Sequence, residues 1–157
     1  MPRLAAALAA AFVIAAPPTV QAAEILRVPA PPGAPPIASA VVVPAGARLV
    51  FLSGALAAPE AQNGPTETQA ASALARLDAV LHAQGLSLGD VVSATVFLVG
   101  DPQKGGAIDF AGLNAAWGRA FGTAAQPNKP ARTTVKVAGL VAPGALVEID
   151  VTAARAD

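Results

Sequence analysis

Along this chain apolar residues recur at every second position in some segments and three or four positions apart in others, and this limits the folds that the chain can adopt. Segments in which apolar and polar residues alternate, or in which β-branched residues dominate, predict strands. Segments with apolar residues three and four apart predict amphipathic helices. Strands are predicted at 39–43, 48–52, 90–98, 131–138 and 146–152, and helices at 66–84 and 109–121. The order predicts an α+β domain, a mixed sheet with two helices packed on one face.

Both predicted helices carry signals for their ends. Thr66 and Gln69 fit a capping box at the start of the first helix. Gly85 is placed to end that helix in the left-handed conformation, and Asp109 is expected to cap the second. The apolar face of the second helix is predicted to contain Phe110, Leu113, Trp117 and Phe121.

The first 22 residues have the order of parts found in a secretory signal peptide. A 13-residue apolar run from Leu4 to Ala16 follows Arg3, and small residues precede a cleavage site after Ala22 or Ala23. The alternative is a membrane anchor, but such a run spans only ~20 Å as a helix, short of the ~30 Å hydrocarbon core. We therefore expect an exported protein, periplasmic or secreted, without stable membrane insertion after cleavage. Its expected parts are a signal peptide at 1–22, a proline-rich lead with a short strand at 23–37, and the α+β domain at 38–157.

Composition excludes several kinds of site. The chain contains no cysteine, no tyrosine and one histidine, His82. Thiol nucleophiles, thiolate metal sites and multi-histidine metal sites are therefore excluded. The formal net charge is zero, so nothing favours binding to nucleic acid or to an acidic lipid surface. His82 is interpreted as a partly solvated helix residue, stabilised by the helix dipole when it is protonated.

The last two predicted strands segregate their charged residues. Arg132, Thr134 and Lys136 share one face of the first strand, and Glu148 and Asp150 share one face of the second. If the two strands are neighbours, one sheet face carries a basic and acidic ladder. One interpretation is a solvated face with cross-strand ion pairs. The other is a subunit interface, with Arg132 directed into a cleft where its guanidinium grips a carboxylate through two hydrogen bonds.

A resemblance to a known family bears on this choice. The segment PARTTVKVAGL, residues 130–140, followed after six residues by Val147-Glu148-Ile149, resembles the signature of the RidA/YjgF family, small proteins that hydrolyse reactive enamines and imines. Further similarities are Ser53-Gly54 at the end of a strand, the stretch from Thr68 to Phe97, and Phe110, Asn114 and Trp117 in the second helix. The resemblance covers residues 30 to 153, nearly the whole chain after the predicted cleavage site.

The resemblance implies a homotrimer with a chorismate-mutase-like α+β fold and a cleft between each pair of subunits. Arg132 would clamp the carboxylate of a small-molecule substrate there, and Glu148 would orient the water that attacks the imine carbon. The backbone of Thr134 would line the pocket, and Ser53 and Gly54 would also lie at the substrate. No metal and no organic cofactor is implied.

The chain departs from the family pattern at three places. Ile37 stands where active members carry a tyrosine, Thr134 stands where cysteine is frequent, and the 101–108 loop is longer. Three functions therefore stay open: an imine/enamine deaminase, a trimer that binds small carboxylates without turnover, and a structural or interaction protein. Lys136 is interpreted as a rim charge, and Asn114 and Trp117 as structural residues.

Overall fold

The structure, a computed structural model, describes residues 24–156. The predicted signal peptide at 1–22 lies outside these residues. In chain order the elements are β1 (Leu26–Pro29), β2 (Ala38–Val42), β3 (Arg48–Ala55), α1 (Thr66–Ala83), β4 (Val91–Leu98), α2 (Phe110–Ala120), β5 (Ala131–Lys136) and β6 (Val147–Arg155). The six strands form one mixed sheet that carries both helices on one face, so the predicted α+β fold is confirmed.

The strand order in the sheet is β1-β2-β5-β4-β6-β3. Strand β4 pairs in parallel with β5 and antiparallel with β6, and β6 pairs antiparallel with β3. Two helical crossovers therefore link parallel strands, α1 from β3 to β4 and α2 from β4 to β5. Both crossovers advance across the sheet in the same direction. Because such connections are right-handed, they place both helices on the same face.

The core lies between this helix-covered face and the two helices. Alternate residues of the two central strands point into it, since successive side chains in a strand leave on opposite faces. They are Ala94, Val96 and Leu98 of β4 and Val147, Ile149 and Val151 of β6, all buried. They pack against the apolar stripe of the helices, formed by Leu74, Leu77, Leu81, Leu113 and Trp117. Each fully buried Leu or Val contributes about 1.5–3 kcal/mol to stability.

The predicted capping box at the start of α1 is wrong. The helix begins at Thr66 with Pro65 as its N-cap, and no side chain caps it. Gln69 is instead fully buried. Its amide donates to the carbonyls of Gln62, Gly64 and Gly144 and accepts the N–H of Leu146. A buried amide must satisfy both ends, and here it joins two loops to the start of β6.

The C-terminal end of α1 and the N-terminal end of α2 agree with their sequence signals. Gly85 has a φ of 71°. The N–H of Leu86 donates to the carbonyl of Leu81, which is the hydrogen bond of a Schellman motif. Asp109 caps α2 by accepting the N–H of Gly112 at 3.0 Å. Phe110 was expected on the buried face of α2, but its side chain is 43% exposed.

The last two strands are not neighbours, because the parallel crossover through α2 places β4 between them. Arg132 pairs with Ala94, which lies in the helix-covered face. Glu148 pairs with Phe97, on the other face. The predicted basic and acidic ladder on one face is therefore wrong. The basic residues lie on the helix-covered face, and the acidic residues lie on the opposite, uncovered face.

Candidate functional site

Arg132 lies where β5 passes beneath α2. Its Nη2 donates to Asn114 Oδ1 at 2.8 Å. The guanidinium carbon lies 4.7 Å from the ring centroid of Trp117 and 5.6 Å from that of Phe110. These three residues share one face of α2 because they are four and three positions apart. An amide and two aromatic rings therefore hold the guanidinium in place.

The guanidinium is not satisfied by these contacts. Within residues 24–156 its buried Nη1 has no hydrogen-bond partner, and neither has the buried hydroxyl of Thr134, two residues along the same face. Each such group costs about 1–3 kcal/mol. Burial lowers the pKa of Arg132 to about 10, so the side chain still carries its charge at neutral pH. This is the chemistry of a site for an anionic group.

The edge of β5 adds free backbone groups beside Arg132. Val137 N–H donates to the carbonyl of Leu98 in β4, so odd-numbered residues of β5 direct their backbone groups to β4 and even-numbered residues direct theirs outward. Strand β2 pairs with β5 only at Ala131. The backbone N–H and C=O of Thr134 therefore lie on an unpaired edge, next to the guanidinium.

Glu148 lies on the uncovered face, in a different group of residues. Opposite Asp150, strand β3 carries two residues, Ser53 and Gly54, which form a β-bulge. The Glu148 carboxylate occupies the space where a side chain at Gly54 would begin, so only glycine leaves room for it. Glu148, Asp150 and Gly54 line one cavity of about 570 Å³.

The predicted site residues thus form two groups. Arg132 and Thr134 lie together on the helix-covered side, and Glu148, Ser53 and Gly54 lie together on the uncovered side. A single chain does not bring the two groups together, because the sheet separates them.

The sequence did not predict which residues surround the guanidinium of Arg132. Asn114 and Trp117 were interpreted as structural residues, yet both contact Arg132. The signal in the sequence was Asn114, an amide within the apolar stripe of α2, at a position where a residue that only packs against the core would be apolar.

The two other candidate residues are Lys136 of β5 and His82 of α1. Lys136 donates from Nζ to the carbonyl of Gly106 at 2.9 Å, which connects β5 to the 101–108 loop. His82 lies on the exposed side of α1, where its Nδ1 is 2.8 Å from the carbonyl of Asp78. Within residues 24–156 there is no group of three or more His, Cys, Asp or Glu residues arranged to hold a metal ion.

The uncovered sheet face is unusually apolar for a surface. Phe51 is 74% exposed, Leu26 62% and Val42 53%, and by their register all three point away from the helices. Leu26 and Val42 lie on the two strands at one edge of the sheet and Phe51 lies on the strand at the other edge, so exposed apolar residues occur at both edges of this face. Apolar surface of this kind is a candidate for contact with another molecule. In residues 24–156 we find no helix with both the length and the apolar character that a bilayer crossing requires.

Fold and site together define a class. This is a small α+β protein with helices on one face of its sheet and candidate site residues on both faces, a desolvated arginine on the helix-covered face and a carboxylate beside a glycine bulge on the other.

Comparison with known proteins identifies the family within that class. The family model described as Endoribonuclease L-PSP matches residues 33–155. Protein DfrA of Myxococcus xanthus is 40% identical over 128 residues, which cover 79% of this chain and 88% of that protein. RutC family protein YoaB of Escherichia coli K12 is 38% identical over 96 residues, 61% of this chain and 75% of YoaB. The crystal structure of NMB1025 from Neisseria meningitidis, a member of the YjgF protein family, has a TM-score of 0.56 and 28% identity, covering 85% of this chain and 97% of that one.

The chain belongs to the RidA/YjgF family. Membership supports a general role in imine deamination or small-molecule binding, in a family whose members are typically oligomeric.

Proposed function

We propose that this protein hydrolyses reactive 2-imino acids to 2-keto acids and ammonia, in a cleft between subunits of a homotrimer. The observation that carries the proposal is the guanidinium of Arg132, which is desolvated, lies over two aromatic rings and has a buried Nη1 without a partner among residues 24–156. An incoming carboxylate would supply the missing acceptors. Two parallel hydrogen bonds to a guanidinium would also fix the orientation of the substrate.

The two groups of site residues have complementary roles in this reaction. The carboxylate of Glu148 accepts a proton from a bound water as that water adds to the imine carbon. The same carboxylate returns this proton to the nitrogen and then relays the hydroxyl proton of the resulting carbinolamine to the amine. The C=O bond of the keto acid forms as the C–N bond breaks, and ammonia leaves. The chemistry is modest because an imine carbon is already electrophilic, so most of the rate enhancement comes from positioning.

The assembly follows from the separation of Arg132 and Glu148. A neighbouring copy that presents its uncovered face to the β5 edge brings its Glu148 towards Arg132. This contact joins two different surfaces, and contacts of that type close into a ring when the rotation between copies closes and form open filaments when it does not. The exposed apolar residues Phe51, Leu26 and Val42 on the uncovered face favour such burial. A ring of three copies would contain three equivalent sites.

A binding protein without turnover is the second candidate, and one observation favours it. Ile37 stands at the position of the family tyrosine and packs against the core of its own chain. The preceding carbonyl, that of Pro36, accepts the N–H of Trp117 at 3.0 Å. This segment therefore supplies no hydroxyl to a neighbouring site, which leaves fewer groups for proton transfer.

The proposal is tested with a 2-imino acid generated in solution by an amino-acid oxidase. Semicarbazide captures the remaining imine, so a hydrolase lowers the rate of semicarbazone formation. We expect the wild type to act and Arg132→Ala to be inactive. The control is Arg119→Ala, which removes an arginine of α2 that pairs with Glu67 at the surface. Equal activity of Arg132→Ala and wild type would refute the role of Arg132.

Calorimetry with small 2-keto acids separates the candidates. Arg132-dependent binding without turnover selects the binding protein. Absence of binding to any small carboxylate refutes both and leaves a structural or interaction role. The mass of the protein in solution tests the trimer independently.

Export is also proposed, from the sequence of residues 1–22. Expression of the full chain in a Gram-negative host should give a periplasmic protein whose N-terminus is Ala23 or Glu24. An intact N-terminus in the cytosolic fraction would contradict this.

A further inference from the structure

The cavity beside Glu148 has apolar walls. Besides Gly54, Gly139 and the two carboxylates, its lining consists of Phe97, Val137, Leu140 and Val141. Phe97 comes from the uncovered face of β4, and the other three come from the connection between β5 and β6. In a single chain the cavity is a wide, open depression of about 570 Å³, so a ligand there is enclosed only when a neighbouring copy covers it.

The loop residues among these are not explained by packing within the chain. Val141 is 90% exposed, although its neighbours at the cavity include Glu148 and Asp150. Loops at a protein surface are usually polar because their backbone is solvated. Two successive apolar side chains, Leu140 and Val141, at the mouth of a cavity instead provide a surface for an apolar ligand group.

The second carboxylate limits which groups can enter. Asp150 is held in position because its Oδ1 accepts the N–H of Thr95 at 3.0 Å. Glu148 lies two residues away on the same face of β6, so both carboxylates border the cavity. A ligand group with its own negative charge would be repelled by both.

We infer that this cavity receives the side chain of the substrate and selects 2-imino acids with bulky apolar side chains over small ones and over acidic ones. The inference rests on the proposed function, which places the imine carbon at Glu148. The side chain of the substrate is bonded to that carbon, so it must lie in the space next to the carboxylate. Leu140 and Val141 are then specificity-determining residues for the reaction.

The test compares imines derived from leucine, alanine and glutamate with wild type, Leu140→Ser and Val141→Ser. We expect the wild type to favour the leucine imine over the alanine imine by roughly tenfold or more in kcat/KM, since a few methylenes in an apolar pocket give discrimination of this order. The glutamate imine should react more slowly still. Both serine variants should lose most of the preference for the leucine imine over the alanine imine. The control is Val80→Ser, a half-exposed valine of α1 outside the cavity, which should keep the wild-type preference.

Failure of this inference differs from failure of the proposed function. Equal rates with leucine and alanine imines, or an unchanged preference in both serine variants, overturn the inference and leave the deaminase standing. If no imine is hydrolysed, calorimetry with the keto acids of leucine and alanine decides. Tighter binding of the leucine keto acid that weakens in Val141→Ser supports the pocket, and equal or absent binding overturns it. If Val141→Ser is monomeric in solution while Val80→Ser is not, Val141 belongs to a subunit contact and the inference is overturned.

Discussion

Arg132 and Glu148 lie on opposite faces of one sheet, on the two strands that flank β4. Arg132 pairs with Ala94 of β4, and Glu148 pairs with Phe97. Ala94 and Phe97 are three positions apart in β4, so their side chains, and those of the residues paired with them, leave the sheet on opposite faces. The two residues can therefore act on one substrate only if they come from different copies of the chain.

Mixing two inactive variants tests this arrangement. Arg132→Ala and Glu148→Gln should each be inactive alone. When the two are unfolded together and reassembled, a site that takes Arg132 from one copy and Glu148 from its neighbour is intact with a probability of about one quarter, so about one quarter of the wild-type activity should return. Each variant reassembled alone is the control. A mixture as inactive as its components, with mixed assemblies confirmed by mass spectrometry, would contradict a shared site.

Gly54→Ala should remove activity with little loss of stability. The added carbon would collide with the Glu148 carboxylate, which must rotate away from its position in the cavity. We expect kcat/KM to fall by about tenfold to a hundredfold, because misplacement of a reacting group by about 1 Å costs about that much. Gly118→Ala in α2 is the matched control. Its new carbon meets only an ordinary contact with Pro36, and alanine is about 0.5–1 kcal/mol better than glycine within a helix.

Asn114→Asp should stabilise the protein and weaken ligand binding. An aspartate at this position would pair with the guanidinium of Arg132, which now bonds to the neutral amide at 2.8 Å. Attraction between two opposite charges would add to the present bond, in which only the guanidinium is charged, so the melting temperature should rise. The internal carboxylate would compete with the ligand carboxylate, and the Kd for a 2-keto acid measured by calorimetry should increase at least about tenfold. Gln84→Glu, at the exposed end of α1, adds the same charge and should leave the Kd unchanged.

Binding of a 2-keto acid should depend on pH through Arg132. Burial lowers the pKa of this arginine to about 10 in the free protein, whereas a bound carboxylate favours the charged form and raises it. Affinity is therefore constant below pH 9 and should fall by up to about tenfold per pH unit above 10, until the pKa of the complex is reached. Titration calorimetry between pH 7 and 11, with circular dichroism to verify folding, measures this. Constant affinity up to pH 11 would show that the guanidinium charge is not used.

Gln69→Leu should be strongly destabilising. The substitution leaves the N–H of Leu146 and three carbonyls without the amide that now bonds to all of them. A loss of about 2–4 kcal/mol in the free energy of unfolding is expected, since each buried group left unsatisfied costs about 1–3 kcal/mol and some relax towards water. Denaturant unfolding of this variant beside Gln84→Leu, an exposed glutamine at the end of the same helix, gives the comparison. A loss below about 1 kcal/mol would mean that the loops hold together without Gln69.

Local patterns predicted the elements well. The stop of α1 at Gly85 and the cap of α2 at Asp109 are decided by neighbouring residues, and both are confirmed. Helix α1 starts at Thr66 as predicted, but the predicted capping box does not form because Gln69 bonds with Gly144 and Leu146, which are distant in the chain. A pattern of four residues contains no information about such partners.

The sequence by itself determined the two helices, the strands, the α+β class and the candidate anion-binding side chain, Arg132. Alternation along β5 also determined that Arg132, Thr134 and Lys136 share a face. Only the tertiary structure decided whether this face is the helix-covered or the uncovered one, and which strand lies beside β5. The insertion of β4 between β5 and β6 follows from how two crossovers pack their helices on one side of the sheet. That packing depends on contacts between residues far apart in the chain, so it separates Arg132 from Glu148 although both strands look alike in sequence.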